Sequence, residues 1–262
     1  MSDEPVLLDV EDGIATLTLN RPDVRNAITH EVSTAMIERL EEAERSDARA
    51  LVVTGSGGSF SAGGDVNAMA ARLSGEATLA ESVRRIHQET SRAIERVATF
   101  HLPTIATVDG VAFGAGANLA LACDVQVASP EAKISFGFRQ VGLAVDTGTS
   151  YFLPRVVGMN KAKELVFTGE LLDAEDALDL GLFNHVYEDF EAEADEFVRS
   201  IAEGPTVALE TSKRALNQGL EQSLDQAMTR EAAHQAAVFE TRDHREGASA
   251  FTEKRDPEFT GE

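Results

Sequence analysis

The alternation of apolar and polar positions changes character along the chain. Near its start, "PVLLDVEDGIATLTLNRP" holds two short runs of Val, Ile, Leu and Thr parted by Glu11, Asp12 and Gly13, the pattern of a β-hairpin. Thr29 stands where a helix cap belongs, ahead of Val32, Ala35, Met36 and Leu40 at helical spacing. "ARALVVTG" reads as a buried strand running into a glycine-rich segment, residues 55–64, and residues 76–99 predict one long helix. "TIATVDG" repeats the theme of buried strand and glycines, followed by a short buried helix in "ANLALACD" and a strand in "VQVAS". Strand, glycine loop and helix therefore recur, which predicts an α/β fold.

Beyond Pro154 the pattern turns helical. Helices are predicted in "NKAKELVFTG", in "DAEDALDLG", over residues 191–203, over one long run from about 206 to 239, and in the closing "DHREGASAFTEKRDPEFTGE". A composition shift at Gly204-Pro205 divides a mixed core, residues 1–204, from a helical C-terminal part, residues 205–262.

Composition narrows the class. The chain has 262 residues, 43% hydrophobic and 26% charged, as expected of a soluble globular protein. No apolar run approaches the ~20 residues that cross a bilayer. "MSDEPVLLDV" lacks a basic region leading into an apolar one, so no signal peptide is expected. The one cysteine, Cys123, excludes an internal disulfide and fits a reducing cytoplasm. The net charge of −22 comes from 45 acids against 23 bases and leaves no basic patch for a nucleic-acid backbone. Acid excess with few lysines has two readings, good solubility or lineage drift on one side, and on the other a high-salt, halophilic cytoplasm where screening tolerates so much like charge; the expectation is the second.

Several chemistries are excluded by spacing. A dinucleotide fingerprint after "ARALVVTG" needs glycine where Phe60 stands, and "GAGANL" puts Leu119 at its last glycine position. No phosphate-binding P-loop and no nucleophile elbow is present. The six histidines do not fall at metal-ligand spacing, so no metal is expected. Cys123 lies on an apolar helix face, as packing rather than as a nucleophile.

What remains is a pair of loops, "SGGSFSAGGDVNAM" and "DGVAFGAGANLALACD". Each follows a buried strand and sets small residues at a helix start, around Ala62 in the first and Ala115 in the second. Peptide N–H groups there lack intrahelical partners and point outward. Two of them aimed at one point would hold an oxygen as it gains negative charge. The alternative is that the glycines serve only tight turns and close packing. A lone acid, Asp146 in "GLAVDTGTS", has two readings as well: a helix cap, or a carboxyl in an apolar setting that moves protons.

"FSAGGDVNAM" and "TIATVDGVAFGAGANLALACDVQVAS" resemble the two glycine signatures of the crotonase (enoyl-CoA hydratase/isomerase) superfamily, and the similarity continues through "NRPDVRNAI", "TGELLDAEDALDLGLFNHV" and "REGASAFTEKRDPEF". The resemblance implies a spiral of ββα repeats with a helical C-terminal trimerisation subdomain. It implies an acyl-CoA thioester as substrate, no separate cofactor, and a homotrimer or a dimer of trimers. By the same resemblance the N–H groups of Ala62 and Ala115 form the oxyanion hole, and Asp146 is the catalytic base. It further implies ligand contacts at Arg25, Ala27, Ser61, Gly63, Gly64, Asp65, Val66, Gly114, Asn118 and Phe138, and at Phe251 and Lys254 on the terminal helix, which can reach the ligand from a neighbouring subunit.

Hydratases of the family resemble one another in using two glutamates; this chain has Asn118 and Phe138 at the matching positions. The setting of Asp146 resembles members that shift double bonds or isomerise ring epoxides of phenylacetyl-CoA. One carboxylate suffices to carry a proton between Cα and Cγ. The expected activity is therefore an enoyl-CoA isomerase. A hydratase working with Asp146 and a water held by Asn118, and a non-catalytic acyl-CoA-binding trimer, are the alternatives.

Overall fold

A computed structural model describes residues 4–65, 74–75 and 78–262. The predicted hairpin is β1 (Val6–Glu11) and β2 (Ile14–Leu19), antiparallel in register Val6 to Leu19. Asp12 and Gly13 turn it with φ of 50° and 74°, the left-handed pair that a two-residue hairpin requires. The side chain of Thr29 caps α1 (His30–Ala43) by accepting from Val32 N. The chain then returns through β3 (Ala50–Gly55), parallel to β2.

The predicted helix over 76–99 is present from Leu79, with residues 76–77 outside the described ones. It has three pieces: α2 (Leu79–Arg85), a wide π-turn over Ile86–Thr90, and α3 (Ser91–Ala98). Next come β4 (Thr104–Val108), β5 (Val111–Phe113), α4 (Ala115–Ala122), β6 (Val125–Ala128) and β7 (Lys133–Ser135). Then follow α5 (Thr149–Thr168), β8 (Leu171–Leu172), α6 (Ala174–Asp179), β9 (His185–Val186) and α7 (Phe190–Ala202). One sheet runs β1-β2-β3-β4-β6-β9, and a smaller one runs β5-β7-β8. Every residue of α4 is buried, so this helix forms the centre of the molecule. The far face of the large sheet, at Ala50, Val52, Ile105 and Val127, is covered by Ala194, Val198 and Ala202 of α7.

Two boundaries differ from the sequence reading. Helix α5 begins at Thr149, ahead of Pro154, and it is two helical segments that meet at Gly158, with φ 76° and ψ 159°. The long C-terminal run divides into α8 (Thr206–Gly219) and α9 (Leu224–Val238). There a capping box, with Ser223 accepting from Gln226 N and Gln226 returning to Ser223 N, makes a fresh helix start cheaper than continuation. Helix α10 (Arg242–Glu253) follows. Its buried Asp243 carboxylate accepts from the N–H groups of Thr260 and Gly261, which pins the tail.

Helices α8, α9 and α10 bury few side chains in a single protomer. Leu216, Leu220, Leu224 and Phe251 stay 68–88% exposed. Among the described residues no helix is long and apolar enough to cross a membrane.

Candidate active site

Three segments are laced together where the site is expected. Ser61 N donates to Val111 O and Phe113 N to Ser61 O, both at 2.9 Å, so the first glycine loop runs alongside β5. Ile28 N donates to Gly63 O at 2.7 Å and Ala62 N to Arg25 O at 2.8 Å, which adds the 25–28 segment on the other side. Asn26 locks this arrangement from beneath. It is fully buried and left-handed (φ 54°), and its amide donates to the carbonyls of Ser56 and Ser59 while its Oδ1 accepts from Arg21 N. Asn26 is an organising residue that the sequence reading passed over between Arg25 and Ala27; an asparagine closing the turn-rich stretch "RPDVRN" was the available signal.

The glycines serve close approach. A Cβ on Gly63 would lie 2.2 Å from Phe113 O and 3.2 Å from Ala115 N, and one on Gly116 would lie 2.3 Å from Ser61 O. The first loop therefore packs directly on the first turn of α4, as both expectations for these glycines require.

The pairing of amides is not the one expected. Ala62 N–H is occupied by the Arg25 carbonyl, and an amide already donating inside the fold has nothing left for a ligand. Two residues later, Gly64 N–H makes no hydrogen bond among the described residues, and Gly64 is exposed. Ala115 N–H is the first of α4 and is likewise unpaired there, with the helix dipole behind it. The amides left without an internal partner beside this loop contact are thus those of Gly64 and Ala115, not of Ala62 and Ala115. Ser61 also changes role. It is fully buried, and its hydroxyl donates to Asn26 O at 2.8 Å and accepts from Gly63 N, which makes it part of the lacing and not a ligand contact.

Asp146 lies in the turn before α5. It does not cap that helix: Gly148 is the cap residue and no side chain caps it. The turn is instead held from α4. Asn118, fully buried, donates from Nδ2 to Asp146 O at 3.0 Å and to Thr147 Oγ1 at 2.7 Å, and its Oδ1 accepts from Thr149 Oγ1 at 2.9 Å. Both amide hydrogens are spent, so Asn118 has no donor for a water and does not meet a ligand as expected. Asn118 follows Ala115 by three residues, about 4.5 Å along a helix axis, and so ties the Asp146 turn within one turn of the unpaired Ala115 amide.

Burial raises the Asp146 carboxyl above its usual range, against a smaller lowering by the Thr147 hydroxyl, which donates to Oδ1 at 3.1 Å. Phe138, 9% exposed, places its ring against Gly114, 3.7 Å from where a Cβ there would be. It supplies apolar surface at the position matching a hydratase's second acid. Between Val111 and Cys123, and between Lys133 and Thr149, Asp146 is the only acidic residue.

The enoyl-CoA hydratase/isomerase family model matches residues 9–262. The chain belongs to the enoyl-CoA hydratase/isomerase family. It is 38% identical to 1,2-epoxyphenylacetyl-CoA isomerase of Escherichia coli (strain K12) over 98% of this chain and 99% of that one. It is 34% identical to the short-chain-enoyl-CoA hydratase of Clostridium acetobutylicum, over 95% of both chains. The crystal structure of an enoyl-CoA hydratase/isomerase from Cupriavidus metallidurans CH34 superposes with a TM-score of 0.90 at 35% identity, covering 100% of this chain and 98% of that one. The fold is accordingly crotonase-like, an enzyme fold of this family, as its glycine signatures implied.

Of the other expected contacts, Arg25 and Ala27 lie beside the first loop through the Arg25 carbonyl, and Asp65 directly follows Gly64. Val66 lies outside the described residues. Phe251 and Lys254 stand exposed at the end of α10, and among the described residues no hydrogen bond or ion pair joins them to the glycine loops.

Proposed function

We propose that this family member is an isomerase of acyl-CoA thioesters, shifting a Δ3 double bond to Δ2 or isomerising an aryl-acetyl-CoA epoxide, with Asp146 as its only proton carrier. The observation that carries the reading is the Asp146 turn: a partly buried carboxyl held on α4 by Asn118, with a phenylalanine where a second acid would stand.

In this reading the thioester oxygen accepts from Gly64 N–H and Ala115 N–H. These donors are fixed before substrate arrives, so they stabilise the charge that forms on the oxygen without reorganising, an effect worth about 10²–10³ in rate per donor. The Asp146 carboxylate removes a proton from Cα, and the electrons move into the carbonyl as a dienolate. The same carboxyl returns the proton to Cγ, the double bond settles between Cα and Cβ, and the carboxylate is regenerated. Burial makes Asp146 a stronger base than an exposed aspartate. The chemistry asks for no cofactor besides the substrate's own CoA.

Assembly as a trimer or paired trimers agrees with the exposed leucines of α8 and α9 and with Phe251, an apolar surface that one protomer leaves in water. The test is to incubate the protein separately with 3-enoyl-CoA, 2-enoyl-CoA and an aryl-acetyl-CoA epoxide. Conjugation of the first, or rearrangement of the third, without 3-hydroxyacyl-CoA from the second, is expected. Faster hydration of 2-enoyl-CoA than either isomerisation would overturn the reading, as would CoA-ester binding with no turnover.

A further inference from the structure

Thr147 is the least comfortable residue of the site. It is β-branched, 6% exposed, and left-handed at φ 47°, a conformation that costs an L-residue roughly 1–2 kcal/mol. β-branched residues are rare there, and such outliers gather where geometry serves function.

The surrounding hydrogen bonds have only one consistent direction. Asp146 O receives Asn118 Nδ2 and Thr149 N, both at 3.0 Å. A carbonyl accepts and never donates, so the Asn118 atom facing it must be the NH2 group; this fixes the amide's orientation. The same Nδ2 lies 2.7 Å from Thr147 Oγ1, which therefore accepts. With its lone pair engaged, the Thr147 hydroxyl has its own hydrogen left for Asp146 Oδ1 at 3.1 Å. The sequence of donors is Asn118 to Thr147 to Asp146, and it ends on one carboxylate oxygen. Oδ2 receives no hydrogen bond from the described residues.

We propose that Thr147 is a positioning residue: it holds Asp146 Oδ1, so that Oδ2 alone is presented to the substrate's Cα and Cγ. The inference rests on Asp146 being the proton carrier. A carboxylate free to rotate would offer either oxygen and lose the alignment that a one-base transfer across two carbons needs. The left-handed backbone at Thr147 and the hydrogen bond from its hydroxyl to the preceding residue's carboxylate occur together in this turn. The proton itself travels only between Oδ2 and the substrate.

The experiment compares wild type with Thr147→Ala, Thr147→Val and Thr147→Ser, with Asp146→Asn as reference, in full pH profiles of kcat and KM for the best isomerisation substrate. Burial and the Thr147 hydroxyl are the causes of the Asp146 shift, and no charged neighbour among the described residues contributes. Loss of the hydroxyl therefore moves the acidic limb to higher pH. Thr147→Ala and Thr147→Val should both show that move with kcat about tenfold lower and KM within about twofold. Thr147→Ser should restore limb and rate. Alanine avoids the β-branch and valine keeps the shape, so a folded hydroxyl-free variant is available either way. The proposal is overturned if the hydroxyl-free variants keep the wild-type limb and kcat, or if serine does not rescue. If Asp146→Asn keeps full rate, the proton-carrier reading itself falls; an inactive Asp146→Asn beside an unaffected Thr147→Ala rejects the positioning role alone.

Discussion

Replacing Gly63 by alanine puts the contact between the two glycine loops under direct stress. The added Cβ would lie 2.2 Å from Phe113 O, whereas real Cβ contacts essentially never fall below 3.0 Å, so the loops must part by at least 0.8 Å (3.0 − 2.2). Alanine must also adopt φ near +85°, at a cost of roughly 1–2 kcal/mol. The displacement falls on the segment leading to Gly64 N–H, opposite Ala115 N–H, and a misplacement of about 1 Å in such a constellation costs about 10²-fold in rate. Gly63→Ala is thus expected to lower kcat/KM for isomerisation by about two orders of magnitude, mostly in kcat, and to unfold at lower denaturant concentration than wild type. Steady-state kinetics with equilibrium denaturation on the same preparation measure both. A folded Gly63→Ala protein within threefold of wild-type kcat/KM would show that the two amides are not aligned by this contact.

Activity should rise with pH through an acidic limb above the ordinary aspartate value of about 3.9, because Asp146 works deprotonated and burial raises its pKa; a limb at or below that value would contradict the burial argument. The same shift has a stability consequence. A carboxyl whose folded pKa is raised stabilises the fold fully only below its unfolded pKa and loses that contribution as pH rises through the folded value. Asp146→Asn should therefore gain thermal stability relative to wild type as pH rises from the ordinary aspartate value of about 3.9 through the raised folded value, read by melting temperature across a pH series. Phe138→Ala leaves a void against Gly114 and should cost about 3 kcal/mol in denaturant unfolding. With a net charge of −22, melting temperature should climb between low salt and molar KCl, as the screening length falls from about 10 to 3 Å; a flat response would argue against a high-salt adaptation. For the trimer proposed above, Leu220→Asp on the exposed C-terminal face should shift sedimentation toward monomer, and an unchanged sedimentation coefficient would reject that face as the interface.

The fold was largely legible because its long elements carry strong signals. Thr29 and the apolar spacing of α1 mark that helix, and Asp12-Gly13 marks the hairpin. The strands β5, β7 and β8 have only two or three residues each, too few to show a period, and they form by pairing with distant partners. Proline misled the reading of α5, whose first segment tolerates Pro154 near its start and breaks later at Gly158. Around the candidate site, the two glycine loops were legible because each follows a buried strand, and Asp146 stood out as the only acid between Lys133 and Thr149. Which amides are free was not, since it depends on the Arg25 carbonyl reaching Ala62 across the fold. The roles of Asn118 and Ser61 were hidden for the same reason: a polar side chain beside a site looks the same in sequence whether it faces the ligand or ties the loops.

The central claim is that one carboxyl carries the proton while two amides hold the oxygen. Asp146→Asn tests it most directly, with CoA-ester affinity measured by calorimetry beside the isomerisation rate. The account predicts unchanged affinity and a loss of about 10²–10⁴ in kcat. An Asp146→Asn enzyme that isomerises at the wild-type rate would contradict it.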